Sequence, residues 1–224
     1  MKSFKRLILM AMVVLAGLIG VQATAHAVPT LEIYLYDGVN PSITVQDQMA
    51  GDSNPTLGAV TFVGSVGAWT VDVTTGLSYP ALGSPTQPKL DLHSVSVSGG
   101  PGSLVVAASA IGFLTTGGAV FQGGGTTEGQ VSFSAWSDPA DLFLGKANPI
   151  GSLGPFGPGA FSGTVSGPTG AGFPYSLTIE ASIEHKTEGA SSFDAGISVP
   201  EPSVMLLLGA GLVGIWGFRK KFKK

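Results

Sequence analysis

The sequence predicts an all-β chain, an antiparallel β-sandwich of jelly-roll-like type, set between two processing segments. Three observations predict it. Turn-forming residues interrupt the body throughout, with 34 glycines and 15 prolines in 224 residues. Between them recur short runs rich in Val, Ile, Thr and Phe, and several of these alternate apolar and polar residues. The chain has no cysteine, so the exported fold must close on its own core without disulfides. A body of about 170 residues can do so, since a domain of that size buries roughly 70% of its unfolded surface.

Taken in order, Leu31, Ile33 and Leu35 share one face of a first strand and Tyr34 and Tyr36 the other. Strands follow at 42–45 and 58–63, and Trp69, Val71 and Val73 form the inner face of the next. Further strands are expected at 90–98, 104–110, 119–122, 160–165 and 192–198. In 130–136 Val131, Phe133 and Ala135 point inward, which puts Trp136 on the side of Ser132 and Ser134. The clearest pattern is 175–184. Tyr175, Leu177, Ile179, Ala181 and Ile183 make a buried face, and Ser176, Thr178, Glu180, Ser182 and Glu184 a wet one. Turns are expected at Asn40-Pro41, Asn54-Pro55, Asn148-Pro149, Gly99-Gly100-Pro101-Gly102 and Gly123-Gly124-Gly125, with a long surface loop over 145–159. No internal repeat or change of composition divides the body, so 28–198 is one domain.

The amino-terminal segment reads as a secretory signal peptide, 1–27. Lys2, Lys5 and Arg6 are its basic region, residues 7–21 its apolar core, and Ala25-His26-Ala27 a small-x-small cleavage box. Ala23-Thr24-Ala25 offers a competing box. The implied partners are the Sec translocon and signal peptidase.

Charge is sorted along the chain. Of eleven Lys and Arg, three lie in the signal and five at the carboxyl end. Only Lys89, Lys146 and Lys186 remain in the body, against all fourteen Asp and Glu, a net of −11 over residues 28–203. So acidic a surface repels nucleic acid and anionic lipid, and suits cations or neutral sugars.

Catalytic signatures are absent: there is no His-Glu-x-x-His, phosphate-binding loop or Gly-x-Ser-x-Gly elbow. His93 and His185, the histidines left after signal removal, read as ordinary strand and strand-end residues. The chain is therefore read as a non-enzyme without cofactor. Asp47, Asp52 and Asn54 share one polar loop and are a weak Ca²⁺ candidate, although their spacing is not that of an EF-hand and also suits plain turns. Tyr34, Tyr36 and Trp136 are candidate glycan-facing aromatics. The alternative is that Trp136 folds over a strand end, or that both sheet faces are covered.

The carboxyl-terminal stretch 199–224 has three parts. Val199, Pro200, Glu201 and Pro202 form a stiff, extended signature, because each proline restricts its own φ and the residue before it. Residues 204–218 are a run of fifteen apolar or small residues, introduced by Ser203 as a helix cap. As a helix this run spans about 22 Å, short against a hydrocarbon core of about 30 Å. A basic tail, 219–224, places the carboxyl end in the cytoplasm and the body outside.

These three parts in order resemble the PEP-CTERM sorting signal of Gram-negative bacteria that make exopolysaccharide. The resemblance implies an exosortase-type membrane transpeptidase as partner and a transmembrane helix that is a removable handle. It implies transient residence in the inner membrane, then the cell envelope, outer surface or extracellular space.

Three functions follow in order. The first is a structural or interaction component associated with exopolysaccharide or biofilm matrix. The second is a carbohydrate- or Ca²⁺-binding module, and the third a secreted hydrolase using two carboxylates. Nucleic acid is not expected as a partner.

Overall fold

The computed structural model describes residues 31–200. The expected signal peptide with Ala25 and Ala27 lies outside the described residues, as do Glu201, Pro202, the apolar run 204–218, the tail 219–224 and the side chain of Val73. Within them the chain forms β1 (Leu31–Tyr36), β2 (Ile43–Gln46), β3 (Ala59–Val66), β4 (Trp69–Leu77), β5 (Lys89–Gly99) and β6 (Gly102–Phe113). It continues through β7 (Gly118–Thr127), β8 (Gln130–Asp138), β9 (Asn148–Phe156), β10 (Gly159–Pro168), β11 (Tyr175–His185) and β12 (Gly189–Ser198).

The strands pair antiparallel in two six-stranded sheets. The first has the order β2-β1-β6-β11-β8-β9 and the second β10-β7-β12-β5-β4-β3. Strands β5 to β12 alternate between sheets as β5-β12-β7-β10 facing β6-β11-β8-β9, the order of an eight-stranded jelly roll. The remaining four strands widen it: β1 and β2 extend the first sheet beyond β6, and β4 and β3 the second beyond β5.

Alternation decides what lies between the sheets. Leu31, Ile33 and Leu35 are fully buried, as are Leu177, Ile179, Ala181 and Ile183 on β11 and Leu104, Val106, Ala108 and Ala110 on β6. Trp69 and Val71 are buried as expected. One side of the sandwich is filled by phenylalanines from both sheets. Phe133 meets Phe193 edge-on at 5.0 Å, and Phe161 stacks on Phe156 at 4.8 Å. Such pairs add about 0.5–1.5 kcal/mol beyond their buried area.

Five expectations are corrected. The glycines 123–125 do not turn the chain; they lie in β7, laddered to β10 on one side and β12 on the other. A Cβ on Gly125 would stand 2.2 Å from the Ser192 carbonyl oxygen and 2.6 Å from Phe193 Cα. The glycines thus make room for their neighbours within a strand. The supposed loop 145–159 is mostly strand, containing β9 and the start of β10. Because β9 is an edge strand, Pro149 and Pro155 can occupy it without leaving a ladder acceptor unpaired. For the same reason Asn148-Pro149 opens a strand instead of forming a turn.

In β4 the phase of alternation slips. Register shifts flank Val73, and the buried residues beyond it are Thr74 and Gly76. Finally, the outer face of β11 is wet only toward its end. Ser176 and Thr178 are fully buried because the β8–β9 connection folds over the first sheet. That connection is held by Leu144 N–H donating to Ser109 Oγ (2.9 Å) and Gly112 N–H donating to Asp141 Oδ1 (2.8 Å).

Candidate functional site

The outer face of the second sheet carries an open cleft of about 770 Å³ across β5, β12, β7 and β10. Its residues fall in register. Asp91 on β5 faces Gly196 on β12, then Gln122 on β7 and Thr164 on β10. The next row runs Asp194, Gly124, Ser162. Lys89 opposes Ser198 at one end. The glycines leave a flat floor with the polar side chains standing around it.

A bulge in β5 shapes the cleft. Leu90 and Leu92 point into the core, but so do Val95 and Val97, so His93 and Ser94 both face outward. Ser94 takes a left-handed conformation (φ 51°) and the β5–β12 register shifts opposite it, between Phe193 and Ala195. Such bulges re-aim a side chain within a sheet. Asp194 pins this one: its Oδ1 accepts the Ser94 N–H at 2.5 Å and lies 3.2 Å from His93 Nδ1.

Asp91 is the unusual group. Its side chain is 29% exposed, accepts no hydrogen bond from any described residue, and has the His93 ring nitrogen at 4.0 Å. Burial pushes its carboxyl above the usual range; His93 opposes that and Asp194 adds to it. A Cβ on Gly196 would sit 3.4 Å from Asp91 Oδ1, so glycine there keeps the carboxylate open to the cleft. A half-buried acceptor without a donor is suited to a ligand rich in hydroxyl or N–H groups.

The sequence-predicted site residues lie elsewhere. Tyr34 and Tyr36 sit half-exposed on the outer face of the first sheet, with ring centroids 6.4 Å apart. Trp136 shares that face but lies three strands away, about 14 Å at ordinary strand spacing. Lys146 Nζ covers its ring at 4.6 Å and pairs with Glu180 at 2.6 Å. The structure does not bring the three aromatics together.

Asp47, Asp52 and Asn54 share a loop whose oxygens accept backbone N–H groups. Asp47 Oδ2 accepts from Gly58 (2.8 Å), Asp52 Oδ1 from Asn54 (2.8 Å) and Thr61 (3.0 Å), and Asn54 Oδ1 from Thr56 (3.0 Å). Among the described residues no group of three or more His, Cys, Asp or Glu side chains converges on a metal position. His185 is a buried strand-end residue bonded at both ring nitrogens. Val199 is buried at the end of β12, and Pro200 after it is exposed.

The cleft residues Asp91, Gln122 and Asp194 were not singled out by sequence, but one signal was present. The apolar positions 90, 92, 95 and 97 change phase at His93 and Ser94, which marks a bulge inside a strand. Which strand faces that bulge is not written locally.

The fold and cleft define an all-β sandwich with an open polar face. The chain ends this sandwich with the PEP-CTERM protein-sorting motif, matched over residues 198–221. The motif implies export with membrane transit, and processing by an exosortase. No curated protein matches the chain. Among solved structures it is similar to TmCBM61 in complex with β-1,4-galactotriose, at 11% identity over 66% of this chain and 90% of that one, TM-score 0.35. It is also similar to the PA14 sugar-binding domain from an RTX adhesin, at 10% identity over 76% and 90%, TM-score 0.34. A third is the K3 adhesin domain of Lys-gingipain from Porphyromonas gingivalis, at 9% identity over 47% and 70%, TM-score 0.29. Likeness at this level transfers no ligand.

Proposed function

We propose that the body of this chain is a non-catalytic saccharide-binding domain that associates with polysaccharide outside the cell through the cleft on the second sheet. The observation that carries this reading is Asp91: a partly buried carboxylate that accepts no hydrogen bond from any described residue and stands beside a glycine floor. Sugar hydroxyls supply donors to such a group, and the flat floor admits a chain running across β5, β12 and β7. Gln122, with both donor and acceptor, stands opposite to bind a second hydroxyl. The net charge of −11 over residues 28–203 favours a neutral or cationic glycan over an acidic one.

The test is affinity electrophoresis of the exported domain in gels containing the producing cell's own exopolysaccharide. Asp91→Ala should weaken retention about 10- to 100-fold, the range of a lost hydrogen bond to a charged group. Trp136→Ala, on the other sheet, should leave retention unchanged. If Trp136→Ala releases the polysaccharide and Asp91→Ala does not, binding belongs to the aromatic face and the cleft reading fails.

A further inference from the structure

The sorting motif and the folded domain overlap. The motif begins at Ser198, the last residue of β12, and β12 is a central strand paired to β5 and β7. Ser198 is in register with Lys89 on one side and Val120 on the other. Val199 N–H donates to the Pro88 carbonyl at 3.0 Å, and its side chain is 3% exposed within the hydrophobic core. Pro200 is the first exposed residue of the motif. In sequence, four residues, 200–203, then separate Val199 from the apolar run that opens at Val204, at most about 14 Å of extended chain.

A peptide-cleaving enzyme grips its substrate as an extended strand with free edges. Ser198 is paired on both edges of β12, and Val199 is held on one edge by the Pro88 carbonyl with its side chain buried, so neither is available in that form. We infer that the folded domain withholds the first two residues of the motif from the processing enzyme, so that recognition begins at Pro200 and Val199 is a positioning residue of the fold. Processing breaks one peptide C–N bond, the acyl carbon passes to water or an amine acceptor, and the leaving amine takes the proton. The fold sets the amino-terminal limit of where that bond can lie. This inference is independent of what the cleft binds.

The full chain is expressed in a host carrying an exosortase, and the exported form is measured by intact mass. The mature carboxyl terminus is expected at Pro200 or beyond. A Gly-Ser-Gly-Ser insertion between Val199 and Pro200 should leave the processed fraction unchanged, because it moves only residues the fold already withholds. Val199→Ala should lower the thermal midpoint by roughly 4–8 °C with processing retained. A mature terminus at Val199 or earlier overturns the inference, as does a mature chain that keeps Lys224. Loss of processing on insertion overturns it too, and so does loss in Val199→Ala at an unchanged midpoint; either would mean that the enzyme reads Val199 directly.

Discussion

His185 Nε2 lies 2.9 Å from Ser191 Oγ, and this contact ties β11 of the first sheet to β12 of the second across one end of the sandwich. It belongs to a chain of bonds with one direction. Gly99 O can only accept, so Nδ1 donates to it (2.9 Å), and in that tautomer Nε2 accepts from the Ser191 hydroxyl. Ser191 Oγ then accepts from Thr127 Oγ1 (2.7 Å), which itself accepts the Gly129 N–H (3.1 Å). Trp69 packs on the ring at 4.8 Å. Ser191→Ala leaves both His185 Nε2 and the Thr127 hydroxyl without this partner in a buried place. It should cost about 1–3 kcal/mol, read as a lower urea midpoint at unchanged slope.

Asp194 anchors the β5 bulge through the Ser94 N–H and stands beside His93. Asp194→Asn keeps a carbonyl acceptor for Ser94, so stability should hold within about 0.5 kcal/mol. Asp194→Ala removes the acceptor and should cost about 1 kcal/mol. Both should weaken polysaccharide retention, the alanine more. Urea unfolding and affinity electrophoresis on the two variants separate the structural part from the binding part.

Glu32 is 4% exposed on the outer face of β1, and its Oε2 accepts a hydrogen bond from Gln46 Nε2 at 3.1 Å. Burial raises its carboxyl above the usual range, and the Gln46 bond lowers it in part. A group raised in the folded state contributes stability below its unfolded titration range, and that contribution is lost as pH rises through the folded one. At neutral pH the charged form is therefore unfavourable for folding. Glu32→Gln should stabilise the domain at pH 7, and the gain should vanish below about pH 4, where the carboxyl is protonated in both states. Thermal midpoints across pH 3–8 check the sign.

Gly125→Ala inserts a methyl 2.2 Å from the Ser192 carbonyl in a central part of the second sheet. The neighbour is backbone, so relief requires β12 to move. The expected cost is at least about 1–3 kcal/mol, seen as a lower midpoint or a loss of soluble protein.

Lys146→Ala removes both the ion pair to Glu180 and the cation over Trp136. The side chains are 43% and 27% exposed, so solvent screens the pair and stability should change by less than about 1 kcal/mol. Trp136 emission should shift as its ring is uncovered.

Much of this architecture is legible locally. The alternation in Leu31 to Leu35 and Tyr175 to Ile183 places those side chains in the core with no knowledge of neighbours, because a strand's period is two wherever it pairs. The export motif is legible for a similar reason, being a linear signature of prolines, apolar run and basic tail. Glycine misleads where its role depends on a partner: Gly123 to Gly125 look like a turn until Ser192, Phe193 and Phe161 are beside them. The prolines of β9 look like loop residues until β9 proves to be an edge.

What the sequence determined by itself is the all-β class, the inward residues of each regular strand, the acidic body and the sorting motif, since each depends on residues close together in the chain. The tertiary structure alone decided the cleft. Asp91 and Asp194 are 103 positions apart in sequence and come together because β5 and β12 are neighbours in a jelly roll. It also decided that Val199 belongs to the domain as well as to the motif, because only the β12 ladder and the Pro88 carbonyl hold it there. Both depend on pairing between distant strands, which is set by the packing of the whole sandwich.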